Sequence, residues 1–299
     1  MNRSLVVGYG YLGRRVASLA KKNGDIVYAT TRNSQKMKSI YEDGIHPIQC
    51  DWTDRSSLIR SIGELDKIDR VLVAVAYDRS SQIDRDTAMV GGLGNLIDAL
   101  RIDPSSAAKT KFCYISTTGV YHQTGGVWVD ETSPTRPTRD GGKAHLRAEA
   151  LLRKKLGPTG FRTLRLSGIY GPGRVPRAAD VIAGRPIASP ADGYLNLIHV
   201  DDAASAVMAA WQLQPGDGHH TYVISDDAPV VRRMFYQHIA DLCHAASPTF
   251  IDPDKDASVR FRSETNKRIW NRRMKKDLDF KLQFPTHREG LADVLKPEA

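Results

Sequence analysis

Cysteine is scarce and scattered in this chain: Cys50, Cys113 and Cys243 are three in 299 residues and show no ligand spacing. An odd, widely separated set excludes a disulfide-stapled fold and offers no cysteine-based metal site, so no metal is expected. Cys50 and Cys113 sit in or beside apolar strand patterns, and a reduced, cytoplasmic compartment is expected. Long apolar runs are absent too. Nothing approaches the roughly 20 residues that span a bilayer, and no membrane partner is expected. No fixed-period repeat or low-complexity block occurs, and the first residues lead straight into a strand pattern without a charged-then-apolar leader.

What is present is ample apolar material, 41% of residues, and an excess of base that gives a net charge of +9. The charge suits an anionic small molecule, a membrane surface or nucleic acid. Its densest part, "RFRSETNKRIWNRRMKK" from Arg260, reads as a solvated helical face. No nucleic-acid-binding module accompanies it, so nucleic acid is not the expected partner.

Apolar strand-like runs alternate with helical patterns along the first half. "SLVVGYG", "DIVYAT", "IHPIQCDW", "RVLVAVAY", "KFCYIS" and "FRTLRLSGIYG" read as strands. Between them, "YLGRRVASLAKKNG", "SQKMKSIYEDG", "RSSLIRSI", "QIDRDTAMVGGLGNLIDALR" and "HLRAEALLRKKLG" read as helices. Strands that are apolar throughout fit a sheet covered on both faces, and the alternation implies right-handed crossovers. The expected fold is therefore α/β, a doubly wound parallel sheet of the Rossmann type. After Gly171 the texture turns rich in Pro, Gly and Arg. Residues 1–170 are read as the dinucleotide-binding lobe and 171–299 as a smaller C-terminal substrate-binding lobe that shares strands and helices with it.

Gly8, Gly10 and Gly13 form GxGxxG between the first strand and the first helix. Gly8 permits the tight turn, Gly10 admits a diphosphate to the backbone, and Gly13 lets helix and strand approach. With Tyr11 and Leu12 they would present helix-start amides to phosphate oxygens. The second strand ends in Thr30, Thr31, Arg32 and Asn33. NAD sites usually place a carboxylate there; its absence and the guanidinium favour NADP over NAD. Arg14 is a second candidate cation, while Arg32 as a plain surface charge is the alternative. Asp51 and Trp52 close the third strand, either receiving and covering the adenine or, for Asp51, capping the next turn.

These pieces, with "CDWTD", "VLVAVA", "YISTTGVY", "WVDETSPTRP", "AEALL", "LRLSGIYGPGR", "NLIHVDDAASAV" and "YVISDDAP", resemble an extended short-chain dehydrogenase/reductase along essentially the whole chain. That group contains nucleotide-sugar epimerases, dehydratases and reductases. The resemblance implies Ala74, Val75 and Ala76 beside the cofactor. It puts Thr117 where a Ser or Thr hydroxyl meets the substrate oxygen, four residues before Tyr121; a strand-end cap is the alternative for Thr117. The family's YxxxK motif is not there. Counting back from Glu149 puts His145 in the lysine place and Gly141 in the tyrosine place. Lys143 is two residues out of register, turned about 200° round a helix. The resemblance is thus closest to the atypical branch of the family, whose members include proteins that bind NADP without turning it over.

A non-standard proton donor is then required, with Tyr121, His145, Tyr170 or a water on Thr117 as candidates. His145 equally well just fills the lysine's space. Tyr77, Asp78 and Arg79 end the fourth strand and would narrow or furnish the substrate pocket. Arg174, Arg177 and Arg185, with Asn196 and His199, would face a polar and anionic substrate, and Asp202 would cap the helix "AASAVMAAW". Expected, then, is an NADP-dependent oxidoreductase or epimerase-type enzyme on an anionic carbonyl or alcohol; an NADP-binding sensor without turnover is the alternative. Helix-paired dimers are common in the family, so a homodimer is compatible with the resemblance.

Overall fold

The computed structural model describes residues 1–295 apart from 66, 105–106, 215 and 252–265. Seven parallel strands form one sheet: β1 (Arg3–Val7), β2 (Ile26–Thr31), β3 (His46–Gln49), β4 (Arg70–Val73), β5 (Lys111–Thr117), β6 (Arg162–Leu166) and β7 (Thr221–Ile224). Their spatial order is β7-β6-β5-β4-β1-β2-β3. The order reverses at β1, and the crevice beyond the carboxyl ends of the strands at that point is where such sheets bind ligands.

Alternation along each strand builds two cores. Val6, Leu72, Cys113 and Leu164 face α1 (Tyr11–Lys22) and a later helix, α7 (Val200–Gln212). Leu5, Val7, Val71, Val73, Phe112 and Tyr114 face α3 (Arg55–Ile62), α4 (Gly92–Ala99) and α5 (Asp140–Leu156). Successive side chains of β1 thus feed opposite layers, as the pleat demands. The remaining helix on the sheet, α2 (Gln35–Glu42), follows β2.

At Ser167 the chain leaves the sheet, and Gly168–Tyr170 pairs in parallel with Leu197–His199. A third apolar cluster, around Tyr170, Val181, Leu197, Phe235 and Leu291, then holds α6 (Ala178–Ile182), α8 (Arg232–Leu242) and α10 (His287–Val294) together. Within the stretch after 171, α7 and β7 return to the central layers. A short helix, α9 (Arg272–Asp277), also belongs there through Met274 and Leu278.

Four local expectations change. The strand read as "RVLVAVAY" stops at Val73, because Ala74 makes its last ladder bond to Val7 (2.9 Å) where β1 turns away at the glycines. The long helix from Gln82 is a π-helical turn, Thr87–Gly91, running into α4. Asp202 does not cap α7: its two oxygens accept the amides of Gln283 (2.7 Å) and Phe284 (2.9 Å), tying the C-terminal segment to the sheet layer. The basic run is not one helical face, since Lys267–Ile269 is a strand paired with Val127–Val129 and Lys267 is buried. Residues 260–265 of that run lie outside the described residues.

Candidate active site

The turn from β1 into α1 is fixed by close packing. Gly8 has φ +99°, and a Cβ there would stand 3.0 Å from the Ala74 carbonyl oxygen. A Cβ on Gly13 would stand 2.1 Å from the Gly8 carbonyl oxygen, so only glycine lets α1 sit this near the strand. Gly10 differs: nothing lies within 4 Å of the position its Cβ would take. The Gly8 amide is engaged by Thr30 Oγ1 (3.0 Å), and the first intrahelical bond runs from the Arg14 amide to the Gly10 carbonyl (3.0 Å). No side chain caps α1 and no acid stands in its first turn. Its leading amides and positive dipole end therefore face open space at Gly10, a cradle that fits a diphosphate.

A cleft of ≈ 470 Å³ opens from that cradle. Of the residues expected at the cofactor, Gly8, Gly10, Tyr11, Leu12, Thr31, Arg32, Trp52, Ala74, Val75 and Ala76 line it. The ring of the buried Trp52 lies against Gly92, where a Cβ would come within 2.7 Å of it. Gly13 acts behind the wall, through packing. Three expectations give way to local bonds. Asn33 lies outside the lining and its Oδ1 accepts the Gln35 amide (2.9 Å) at the start of α2. Asp51, also outside it, holds the Thr53 amide (2.9 Å) and hydroxyl (2.7 Å) with one oxygen, which is the capping alternative. Arg14 turns to Asp43 (3.2 Å), whose carboxylate also receives the Tyr9 hydroxyl (2.6 Å).

Arg32 stands on the cleft and meets Asp78 at 2.8 Å. Hydrogen bonds from the Ser80 hydroxyl and amide, then from Arg32, hold the Asp78 carboxyl down at about 2. Lys36, the second residue of α2, lines the same cleft. Sequence reasoning passed over it, although a cation four residues after Arg32 on a helix start was a readable signal. Ile115, Ser116 and Ile169 were likewise passed over; the signal is position, at the carboxyl end of β5 for the first two and in the strand that follows β6 for Ile169.

At the far end stand Ser116 and His145. The Ser116 hydroxyl donates to Glu149 Oε1 (2.7 Å), and Glu149 takes a two-pronged bond from Arg165 (2.6 and 3.1 Å). The third prong of Arg165 ends on the Tyr121 hydroxyl at 2.8 Å. Tyr121 is fully buried, and burial pushes its phenol up to about 12. It is a core residue in an ion-pair network and not a proton donor to the cleft. Thr117 is outside the lining; its Oγ1 accepts the Gly119 amide (3.0 Å), which leaves the hydroxyl proton available.

His145 Nδ1 lies 2.8 Å from the Tyr114 hydroxyl. Burial, aided by the charge of Arg85 and opposed by Glu149, holds the imidazole down at about 4, so it is neutral near pH 7. Burial also raises the Tyr114 phenol, which keeps its proton and donates it. Assigned from that bond, the imidazole proton sits on Nε2.

The expected substrate residues divide. Arg174 lines the cleft, its Cζ 5.4 Å from the Tyr11 ring centroid, and has no carboxylate partner among the described residues. Arg177 and Arg185 instead both pair with Asp180 (3.1 and 2.9 Å). Tyr170 is fully buried in the third apolar cluster, its hydroxyl 3.5 Å from the Thr286 carbonyl, because the switch of strands turns it inward. Asn196 is a strand clip: its amide donates to the Lys267 carbonyl (3.0 Å) and its oxygen accepts the Ile269 amide (2.7 Å). His199 is buried at the start of α7. The Tyr77 hydroxyl is engaged by the Ile83 carbonyl (3.0 Å), and Arg79 is exposed outside the lining. No cluster of three metal-binding side chains forms among the described residues, nor any helix long and apolar enough to cross a membrane.

Residues 4–225 match the profile of the NAD dependent epimerase/dehydratase family. A conserved protein of unknown function from Silicibacter pomeroyi is 29% identical with a TM-score of 0.77, over 99% of this chain and 98% of its own. A Methylobacillus flagellatus structure, provisionally described as an NAD-dependent epimerase/dehydratase, is 27% identical with a TM-score of 0.79, over 98% and 97%. The dTDP-glucose 4,6-dehydratase of Bacillus anthracis, in complex with NAD, shares the fold with a TM-score of 0.77 at 18% identity, over 99% and 96%. No curated protein matches the chain.

Proposed function

The chain belongs to the NAD dependent epimerase/dehydratase family, and from that premise we propose that it is an NADP-dependent oxidoreductase or epimerase-type enzyme acting on a polar, anionic carbonyl or alcohol. One observation carries the reading: a single cleft joins Arg32 and Lys36, the open cradle at Gly10, and the pair Ser116 and His145. The α1 amides would hold the diphosphate, Arg32 and Lys36 the 2′-phosphate, and Trp52 the adenine side. A bound nicotinamide supplies or accepts hydride; the remaining tasks fall to the chain. Thr117, with its oxygen held by Gly119, has a hydrogen bond to donate to the substrate oxygen. Arg174 offers the free cation that an anionic substrate needs. His145 takes the lysine's place as a neutral donor through Nε2, and because it is uncharged near pH 7 it stores no spare proton.

The experiment is NADPH oxidation across a panel of anionic sugars, keto acids and aldehydes, with NADPH and NADH affinities measured alongside. Expected are turnover lost in Thr117→Val and an Arg32→Ala variant whose NADPH affinity falls roughly 10- to 100-fold, the weight of one charged hydrogen bond, with NADH affinity little changed. Equal losses for the two nucleotides would remove the 2′-phosphate role. A sensor without turnover is the second reading. It is favoured by the burial of Tyr121 and Tyr170, and tight NADPH binding without oxidation across the panel would move it ahead.

A further inference from the structure

Gly141 lies one turn of α5 before His145, on the same face. A Cβ built on it would stand 3.6 Å from Arg85 Nη1 and 4.0 Å from Arg85 Cζ. A guanidinium therefore stands at contact distance from a Cβ at 141, on ground that a longer side chain there would have to enter. It comes from a distant loop, the one between β4 and α4, and that loop is anchored on both sides of it. Arg85 Cζ sits 4.0 Å from the centroid of the Tyr77 ring, and the Tyr77 hydroxyl donates to the Ile83 carbonyl at 3.0 Å. Asp84 Oδ1 accepts the amides of Asp86 (2.9 Å) and Thr87 (3.0 Å), while Asp86 takes a two-pronged bond from Arg147 of α5 (3.0 and 2.6 Å). The π-helical turn Thr87–Gly91 follows at once. Arg85 itself is half-buried and has no carboxylate partner among the described residues. Its charge is close enough to His145 to help keep that imidazole unprotonated.

The start of α5 also abuts the turn that follows Thr117. A Cβ on Gly142 would meet the Gly119 carbonyl oxygen at 2.6 Å. Two adjacent glycines at the start of α5 thus pack against the Arg85 guanidinium and against the turn that follows Thr117; Arg85 and Thr117 both stand outside the cleft lining, beyond the His145 that is part of it.

We infer that Arg85 is a catalytic residue that holds the substrate oxygen from the place a tyrosine at 141 would fill; this rests on the enzymatic reading above. A guanidinium donates hydrogen bonds in a fixed fork and does not release its proton. It therefore stabilises negative charge as it develops on the oxygen, together with the Thr117 hydroxyl, and does not act as the acid. The proton that finally neutralises the oxygen comes from solvent. This division of labour explains how the site can do without the tyrosine, and why a neutral His145 suffices beside it.

The test uses the full chain saturated with NADP⁺, histidine-labelled for NMR, with sodium acetate as the oxyanion probe at constant ionic strength and chloride as control. Acetate should shift the His145 ring signals saturably in the wild type and not in Arg85→Met, with Arg85→Lys intermediate. An identical response in Arg85→Met, or no saturable response in the wild type, overturns the inference. A second arm uses any carbonyl that the panel turns over: Arg85→Met should lower kcat by about 10²–10³, the usual effect of removing one donor to an oxyanion, while NADPH affinity stays within twofold. Undiminished kcat overturns the role of Arg85. If no carbonyl is turned over, the enzymatic reading fails and the acetate titration decides Arg85 separately.

Discussion

Two helices border this cleft, and each opens with glycines for a different reason. At α1, Gly8 and Gly13 are enforced by backbone oxygens 3.0 and 2.1 Å from where a Cβ would be, and Gly10 keeps clear the ground in front of the amides. At α5, Gly142 is enforced in the same way, by the Gly119 oxygen and Pro137 at 2.6 Å, but Gly141 is not. Its nearest neighbour is the end of a long side chain at ordinary contact distance. The cofactor end is thus a backbone device that tolerates little change. The chemical end is a side-chain device, in which one residue can leave and another, from a different loop, can occupy its place.

The largest effect that would sharpen this contrast is the share of the acid response that His145 of α5 contributes. His145 is held at about 4 when folded, against an ordinary value of 6.5. A depressed folded value means that the unfolded chain binds the proton first. The stabilisation is therefore complete above pH 6.5 and is lost as pH falls from 6.5 towards 4, by about 3 kcal/mol in all. Urea unfolding of His145→Gln should lose about 2 kcal/mol less than wild type between pH 7 and pH 5. Parallel losses in the two proteins would show that the imidazole is not held neutral by its surroundings.

Next comes Gly13→Ala. Overpacking of this kind costs roughly 1–3 kcal/mol, and here the obstacle is backbone that cannot rotate away. Thermal unfolding should move down and NADPH binding should fall with it, because α1 must retreat from β1. A variant that keeps both would break the claim that the cradle is set by packing.

The smallest effect is the same substitution at the other helix start. Gly141→Ala meets Arg85 at 3.6 Å, so stability should stay within about 0.5 kcal/mol of wild type. A loss as large as that of Gly13→Ala would mean that the α5 start is as tightly built as the α1 start.

Much of this was legible in the chain. The alternation of apolar strands with helical patterns announced the sheet, and most residues named for the cofactor line the cleft. The two pieces of chemistry that went astray are aromatic residues just past or at strand ends: Tyr121 follows the short helical turn after β5, and Tyr170 closes the strand Gly168–Tyr170. There the pleat and one change of sheet decide whether a side chain faces the cleft or the core. Asn196 and Asp202 went the same way, because their partners lie in the last segment of the chain and no local pattern points to them.

The sequence by itself determined the glycine turn, the helix that follows it and the absence of an acid after β2, because these depend on φ, on the Cβ atom and on charge, which are properties of single residues and their neighbours. Only the tertiary structure decided that Arg32 meets Asp78, that Tyr114 sets the proton on His145, and that Arg85 stands at Gly141. Each of those pairs elements far apart in the chain, and such meetings are fixed by how layers pack, not by spacing along the sequence.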